Sequence, residues 1–313
     1  MRTIDVFLFE GVNLLDVSGP VQAFEAAKVD RKSQYECRFV TIDGEPVKAS
    51  CGLRMLADDE LSAASKSHDL LIPGGGVDAV IKEGRIQSII QARAARAGDG
   101  RLISICSGAL ILAASGVLDG LDATTHWSRA KDIKKYKEVC WDLDRICVEE
   151  DRIFTSAGVT TGIDLALAII RADCGRDVAL GAARELVVQL HRTGGQSQYA
   201  MHLAGQFSRD NSLAHLIEKI VSQPQLDWTL EEMAQTAGMN TRTLSRHFQR
   251  DVQQSPAQFV EHTRIEHARG LLKDNVPLKQ VAQDSGFGDL QRMRRAFQRR
   301  FGVHVSDYVK AFG

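Results

Sequence analysis

The chain of 313 residues has six cysteines (Cys37, Cys51, Cys106, Cys140, Cys147 and Cys174) but no Cys-x-x-Cys pair and no Cys/His cluster at zinc spacing. That excludes the common structural zinc sites and the dithiol redox motif. No apolar run reaches bilayer length, and Met1 to Asp5 carries no apolar signal core. The expectation is a cytoplasmic protein with reduced thiols, without metal, cofactor or membrane partner. Net charge is nearly absent as well, at −1 from 39 Lys/Arg and 40 Asp/Glu, so the total announces no nucleic-acid partner. With 44% apolar residues, the length suffices for two domains with cores of their own.

What charge there is lies unevenly. Residues 216–313 hold 14 Lys/Arg and 11 Asp/Glu, a net +3, which leaves −4 for the rest. Two similar patterns stand there in tandem, at 230–248 and 278–297. Each has an apolar–small pair (Met233-Ala234, Val281-Ala282) that lets a second helix cross closely. A glycine follows four residues after the alanine (Gly238, Gly286), as a tight turn with positive φ requires. Then comes an N-cap residue, Asn240 or Asp289. The second helix of each pair buries Leu244 and Phe248, or Met293 and Phe297, at i and i+4. Its outer face carries Arg242, Arg246 and Arg250 in one copy, and Arg292, Arg295 and Arg299 in the other. Basic and polar residues at the start of a second helix suit major-groove reading. Residues 256–272 predict an amphipathic helix joining the two units. The alternative for one such pattern is a surface helix pair with solvated arginines; a tandem repeat about 50 residues apart favours DNA.

This stretch resembles the DNA-binding domain of the AraC family. The matching residues are Ala234, Gly238, Leu244, Arg246 and Phe248, then Ala282, Gly286-Phe287, Arg295, Phe297, Phe301-Gly302 and Tyr308. His304-Val305 replaces the family's Ser-Pro, and Thr241 and Leu290 stand where Pro is common. The resemblance implies that Arg242, Thr243 and Arg246 contact double-stranded DNA from the first unit, and Gln291, Arg292 and Arg295 from the second.

Upstream, short apolar strands alternate with helices. Strands are predicted at 3–9, 38–42, 69–72, 101–105 and 152–155, and helices at about 18–27, 84–97, 107–115 and 160–172. The pattern implies an α/β doubly wound, mainly parallel sheet, followed by an all-α domain with two helix-turn-helix units. Sites in such sheets form at the carboxyl ends of strands. There stand Asp16, Pro73-Gly74-Gly75-Gly76 and Cys106-Ser107-Gly108. Cys106 lies between strand and helix in a nucleophile-elbow arrangement. The helix N-terminus should lower its pKa, and the glycines should let N–H groups approach an oxyanion. The alternatives are a plain buried cysteine, an N-cap role for Asp16, and a packed corner at His126-Trp127.

Asp16 to Pro20, Pro73-Gly74-Gly75, residues 105–109, 123–127 and 155–158 resemble the ThiJ/PfpI superfamily, which has a class I glutamine amidotransferase-like fold. Asp16 and Thr125-His126-Trp127 are most similar to its isocyanide hydratase branch. The protease-like members have a His directly after the Cys, where this chain has Ser107. The whole layout resembles the GlxA family of regulators, with residues 194–199 adding to the likeness. It implies an effector-sensing domain over 1–190, a connection over 191–215 with a helix beginning near Leu213, and a DNA-binding domain over 216–313. The expected effector pocket comprises Asp16, Gly74, Gly75, Cys106, Ser107, His126 and Trp127, and a carboxylate beside an aromatic face suits an amine or cation. The expected protein is a regulator and not an enzyme: an activator that meets RNA polymerase, and by resemblance a homodimer. The rival is a hydratase or amidase using Cys106 and Asp16. A redox sensor at Cys106 is a third reading.

Overall fold

The computed structural model describes residues 1–189, 211–252, 254–272, 276–301 and 305. Most of the expected connection, together with residues 194–199, Gly302, His304 and Tyr308, lies outside the described residues. The chain divides into two compact units, residues 1–192 and 193–313.

The first unit is built on a seven-stranded sheet. Its strands are β1 (Arg2–Phe7), β2 (Tyr35–Thr41), β3 (Asp59–Glu60), β4 (Asp69–Ile72), β5 (Leu102–Ile105), β6 (Cys147–Glu150) and β7 (Ile153–Ser156). They lie in the order β6-β7-β5-β4-β1-β2-β3, all parallel except the β6/β7 pair. The central strands are apolar on both faces because helices cover both, so β4 and β5 are buried throughout. The packed helices are α1 (Leu14–Ala26), α2 (Gly84–Ala94), α3 (Gly108–Ala114), α4 (Thr161–Cys174) and α5 (Arg176–Glu185). The winding reverses between β1 and β4, and that crevice is where an open α/β sheet offers a site.

Three local expectations change. Helix α1 starts at Leu14, not at residue 18, with Asn13 as its cap, accepting from the Leu15 N–H at 3.0 Å. Pro20 reads as a boundary but lies inside the helix, against Gly162 of α4. Asp16 is therefore a first-turn residue and not the cap. Helix α2 ends at Ala94, three residues short of the predicted stop. The edge strands β3 and β6 were not expected.

At the amino ends of the strands, buried ion pairs tie the sheet to its helices. Asp69 accepts from Arg2 Nε at 2.7 Å and from Arg101 Nη2 at 3.1 Å, while Arg101 reaches Asp173 at 2.7 Å. A second centre is Asp5, which accepts from Ser65 and Ser67 hydroxyls at 2.6 Å each and from Arg93 Nη1 at 3.0 Å. Both charges of this pair are almost wholly buried.

The second unit has α6 (Asn211–Ser222), α7 (Leu230–Thr236), α8 (Thr241–His247), α9 (Pro256–Leu272), α10 (Leu278–Asp284) and α11 (Leu290–Phe301). They make two cores. Met233, Leu244, Phe248 and Phe259 belong to one, and Val281, Met293 and Phe297 to the other. Among the described residues no helix is long and apolar enough to cross a membrane.

Removing one member of a buried pair strands the other charge in low dielectric. Arg93→Ala is expected to lower the stability of the first unit by about 3–5 kcal/mol. Urea titration would check this. The double variant Arg93→Met/Asp5→Asn should regain much of the loss, and a single variant with a wild-type midpoint would refute the assignment.

Candidate functional site

Three strand ends converge on one carboxylate, carried by helix α1. Asp16 Oδ2 accepts from the Gly74 N–H at 3.0 Å, past the end of β4, and Oδ1 accepts from the Val159 N–H at 2.7 Å, past the end of β7. The Cys106 thiol, at the end of β5, is its third partner. Asp16 has no solvent exposure and Cys106 has 9%. The elbow is present: Cys106 has φ +58, its N–H donates to Ser156 O at 3.0 Å, and its carbonyl accepts from Thr125 Oγ1 at 2.7 Å. Two glycines make room. A Cβ on Gly74 would stand 2.6 Å from Asp16 Oδ2, and one on Gly158 would overlap Cys106 Cβ and lie 2.7 Å from its Sγ.

The electrostatics run against the expected reactive thiol. Burial, and then the Asp16 charge, push Cys106 up to about 12. Burial likewise raises Asp16, although its hydrogen bonds oppose the shift. The Ser107 backbone N–H at the start of α3 does lower the thiol pKa, but it is outweighed. Burial and the neighbouring Asp16 thus oppose a thiolate nucleophile at Cys106.

The glycine N–H groups do not make an oxyanion hole here. Gly74 donates to Asp16, Gly75 to Ser107 Oγ at 3.0 Å, and Gly76 to Gly11 O at 3.0 Å. His126 does not join the Cys106–Asp16 pair. Its Nδ1 lies 2.7 Å from Ser128 Oγ and 3.3 Å from the Ser128 N–H, and its ring lies 5.3 Å from that of Trp127. Trp127 is 61% exposed, so the packed-corner alternative fails for it.

In the second unit both patterns form as helix pairs. Helix α7 begins with a capping box of Thr229 and Glu232. Asn240 caps α8 by accepting from the Thr243 N–H at 2.8 Å, and Asp289 caps α11 by accepting from the Arg292 N–H at 2.8 Å. Gly238 and Gly286 take φ +63 and +83 in the turns. Arg242, Arg246, Gln291, Arg292 and Arg295 are exposed, while Thr243 is half-buried. Arg250 and Arg299 differ from that expectation: Arg250 is paired to Asp251 and Arg299 to Glu261, each at 2.6 Å. The backbone also widens into a π-helical turn over Phe248–Val252, so the regular helix ends before Arg250.

A family profile described as DJ-1/PfpI matches residues 2–172, more than half of the chain. The chain belongs to the DJ-1/PfpI family. Residues 233–311 match a second profile, for a helix-turn-helix domain. The chain is 24% identical to the HTH-type transcriptional regulator GbdR of Pseudomonas aeruginosa, over 98% of its own length and 83% of the relative's. It is 26% identical to the HTH-type transcriptional regulator GlxA of Rhizobium meliloti, over 96% and 93%. It is also 30% identical to an isonitrile hydratase of Pseudomonas putida, over 56% of this chain and 74% of that one. Both expected resemblances therefore hold, the DJ-1/PfpI domain and the GlxA-type layout.

Within that DJ-1/PfpI domain the structure brings together Asp16, Gly74, Gly75, Cys106 and Ser107, and leaves His126 and Trp127 as a separate, tilted ring pair. It adds Val159, whose contribution is a backbone N–H. The motif ending in Gly158 pointed to the neighbourhood but not to that group.

With a pKa near 12, the thiolate fraction at pH 8 is about one in ten thousand. Iodoacetamide should label exposed Cys51 and Cys140 quickly and Cys106 very slowly, and the Cys106 rate should rise tenfold per pH unit through pH 10. Asp16→Asn removes the neighbouring charge and should speed labelling at pH 8. Site-resolved mass spectrometry decides the point, and equal rates at Cys51 and Cys106 would contradict the assignment.

Proposed function

We propose that a small nitrogen-containing metabolite, held by the DJ-1/PfpI domain, controls how the helix-turn-helix domain engages double-stranded DNA. The chain is a DNA-binding helix-turn-helix transcription regulator of the AraC/GlxA type. One observation carries the DNA contacts: two capped helices present Arg242, Arg246, Arg292 and Arg295 outward, with no ion pair to any of the four among the described residues. Arginine suits guanine O6 and N7, and Gln291 suits adenine. Thr243, half-buried beside them, is assigned a base or phosphate contact in the same reading. The relatives described as regulators over most of this chain support the same reading.

For the effector, the supporting feature is the exposed Trp127 face beside His126, which attracts an amine or quaternary cation. Gly74, Gly75, Cys106 and Ser107, gathered around the Asp16 carboxylate and apart from that pair, are the other contacts we assign to the effector. Asp16 acts through the backbone, since its oxygens are taken up by Gly74, Val159 and Cys106. The regulator activates transcription as a homodimer that meets RNA polymerase. A Cys106-dependent hydratase is favoured by one relative but opposed by the protonated thiol. Turnover that is abolished by Cys106→Ser would revive it.

Operator sequences can be selected from random duplex DNA with the full chain. On the selected site, Arg242→Ala and Arg295→Ala should each cost about 1–3 kcal/mol and relax one base position. If neither variant changes affinity, these helices do not read the groove. A thermal-shift screen with amines, amino acids and betaines should give a hit that raises the melting temperature by mass action. Trp127→Ala should lose that shift. A shift that survives the substitution places the effector elsewhere.

A further inference from the structure

The joining helix α9 serves both halves of the DNA-binding unit. Phe259 and Val260 from its first half enter one core, and Ile265, Ala268 and Leu272 from its second half enter the other. Arg264 stands between the two sets. Its Nε donates to the Pro224 carbonyl at 3.0 Å and its Nη2 to the Leu226 carbonyl at 2.8 Å. Both carbonyls lie in the loop between α6 and α7, in the first half.

The second half meets the same loop. Gly286, its turn glycine, has φ +83, and a Cβ there would collide with the Pro224 carbonyl. It would also stand 2.7 Å from Gln225 Cα and 2.9 Å from Arg264 Nε. Main chain therefore rests on main chain across the seam, with the Arg264 guanidinium beside the contact. A second tie, Arg299 to Glu261 at 2.6 Å, joins α11 to α9 but is far more exposed. Burial, and then neighbouring Arg292, push the Arg264 pKa below its ordinary value, while Asp227 opposes. Beside Arg264 runs a groove of about 390 Å³, lined by Trp228, Phe287, Arg292, Arg295 and Arg299 among others.

We infer that Arg264 is a positioning residue that holds the second recognition helix in register with the first, and thereby sets the spacing of half-sites this regulator accepts. The inference rests on the DNA-binding reading. Two helices held one DNA turn apart, about 34 Å, tolerate one spacing, because each inserted base pair rotates the second site by about 34–36°. When the fork to Pro224 and Leu226 is lost, the second half swings and accommodates other spacings.

The test uses the full chain as wild type, Arg264→Met and Arg264→Lys. The lysine variant keeps the charge and stem but cannot bridge the two carbonyls as the fork does, and it carries the test alone if the methionine variant does not fold. Wild type should bind an operator with one inserted base pair about tenfold more weakly than the native one, and both variants should reduce that penalty to about twofold. Their dependence on salt should match that of wild type. A loss equal at every spacing, with the salt slope reduced by about one in Arg264→Met and wild-type behaviour in Arg264→Lys, makes Arg264 a phosphate ligand and overturns the inference. A second arm needs no DNA. Spin labels on non-canonical keto residues at positions 249, in the π-helical turn that follows α8, and 294, on α11, leave the native cysteines untouched and report the distance between the two halves. A narrow distribution that broadens in both variants supports the inference, and equal widths overturn it. If the wild type selects no operator, the DNA-binding reading falls, and the distance arm still decides whether Arg264 holds the two halves together.

Discussion

The buried carboxylate of Asp16 holds the first domain's functional end in place. It takes hydrogen bonds from the segments that follow β4 and β7, and from the cysteine that ends β5, while itself sitting on the helix that follows β1. A charge in such a place is tolerated only when its lone pairs are occupied. Here two of the three partners are backbone N–H groups, and the loops that carry them must therefore keep their paths. The positive φ of Cys106 and the bare Cα atoms of Gly74 and Gly158 are the geometric price of that convergence.

The same convergence sets the chemistry. An elbow cysteine at a helix start is commonly read as activated, because the local dipole favours the thiolate. In this protein the carboxylate beside it and the lack of solvent act in the opposite sense, and they are larger. The fold keeps the shape of a nucleophilic site while withholding its ionisation. The exposed Trp127 beside His126 lies outside that hydrogen-bonded cluster.

Much of this was legible from residue types. The buried strands announce themselves as apolar runs, Cys106 and the glycine clusters fall at strand ends, and both helix pairs follow from Ala234-Gly238-Asn240 and Ala282-Gly286-Asp289. Edge strands escaped, since Asp59–Glu60 is two charged residues paired only through the main chain. The partners of Asp16 escaped for a related reason: the N–H groups of Gly74 and Val159 belong to the backbone and leave no mark in side-chain identity. Arg264 was hidden in the same way, because its acceptors are carbonyls. Arg250 and Arg299 looked like part of a basic face, and only tertiary contacts show them next to Asp251 and Glu261. The sign of the Cys106 shift was missed because a dipole can be inferred from local order, whereas desolvation requires the assembled interior.

Helix α9 also has a bearing on how the second unit folds. Each core draws its other members from nearby stretches of chain, so each can begin to form locally and quickly. Neither is complete until residues of the one shared helix are in place. The helix thus makes the two halves a single cooperative unit, in which loss of packing around Leu244 and Phe248 weakens the ground on which Met293 and Phe297 stand. Partial unfolding of one half alone would leave part of α9 with an uncovered apolar face. Such a species is costly in water, and the native state has little access to half-folded forms.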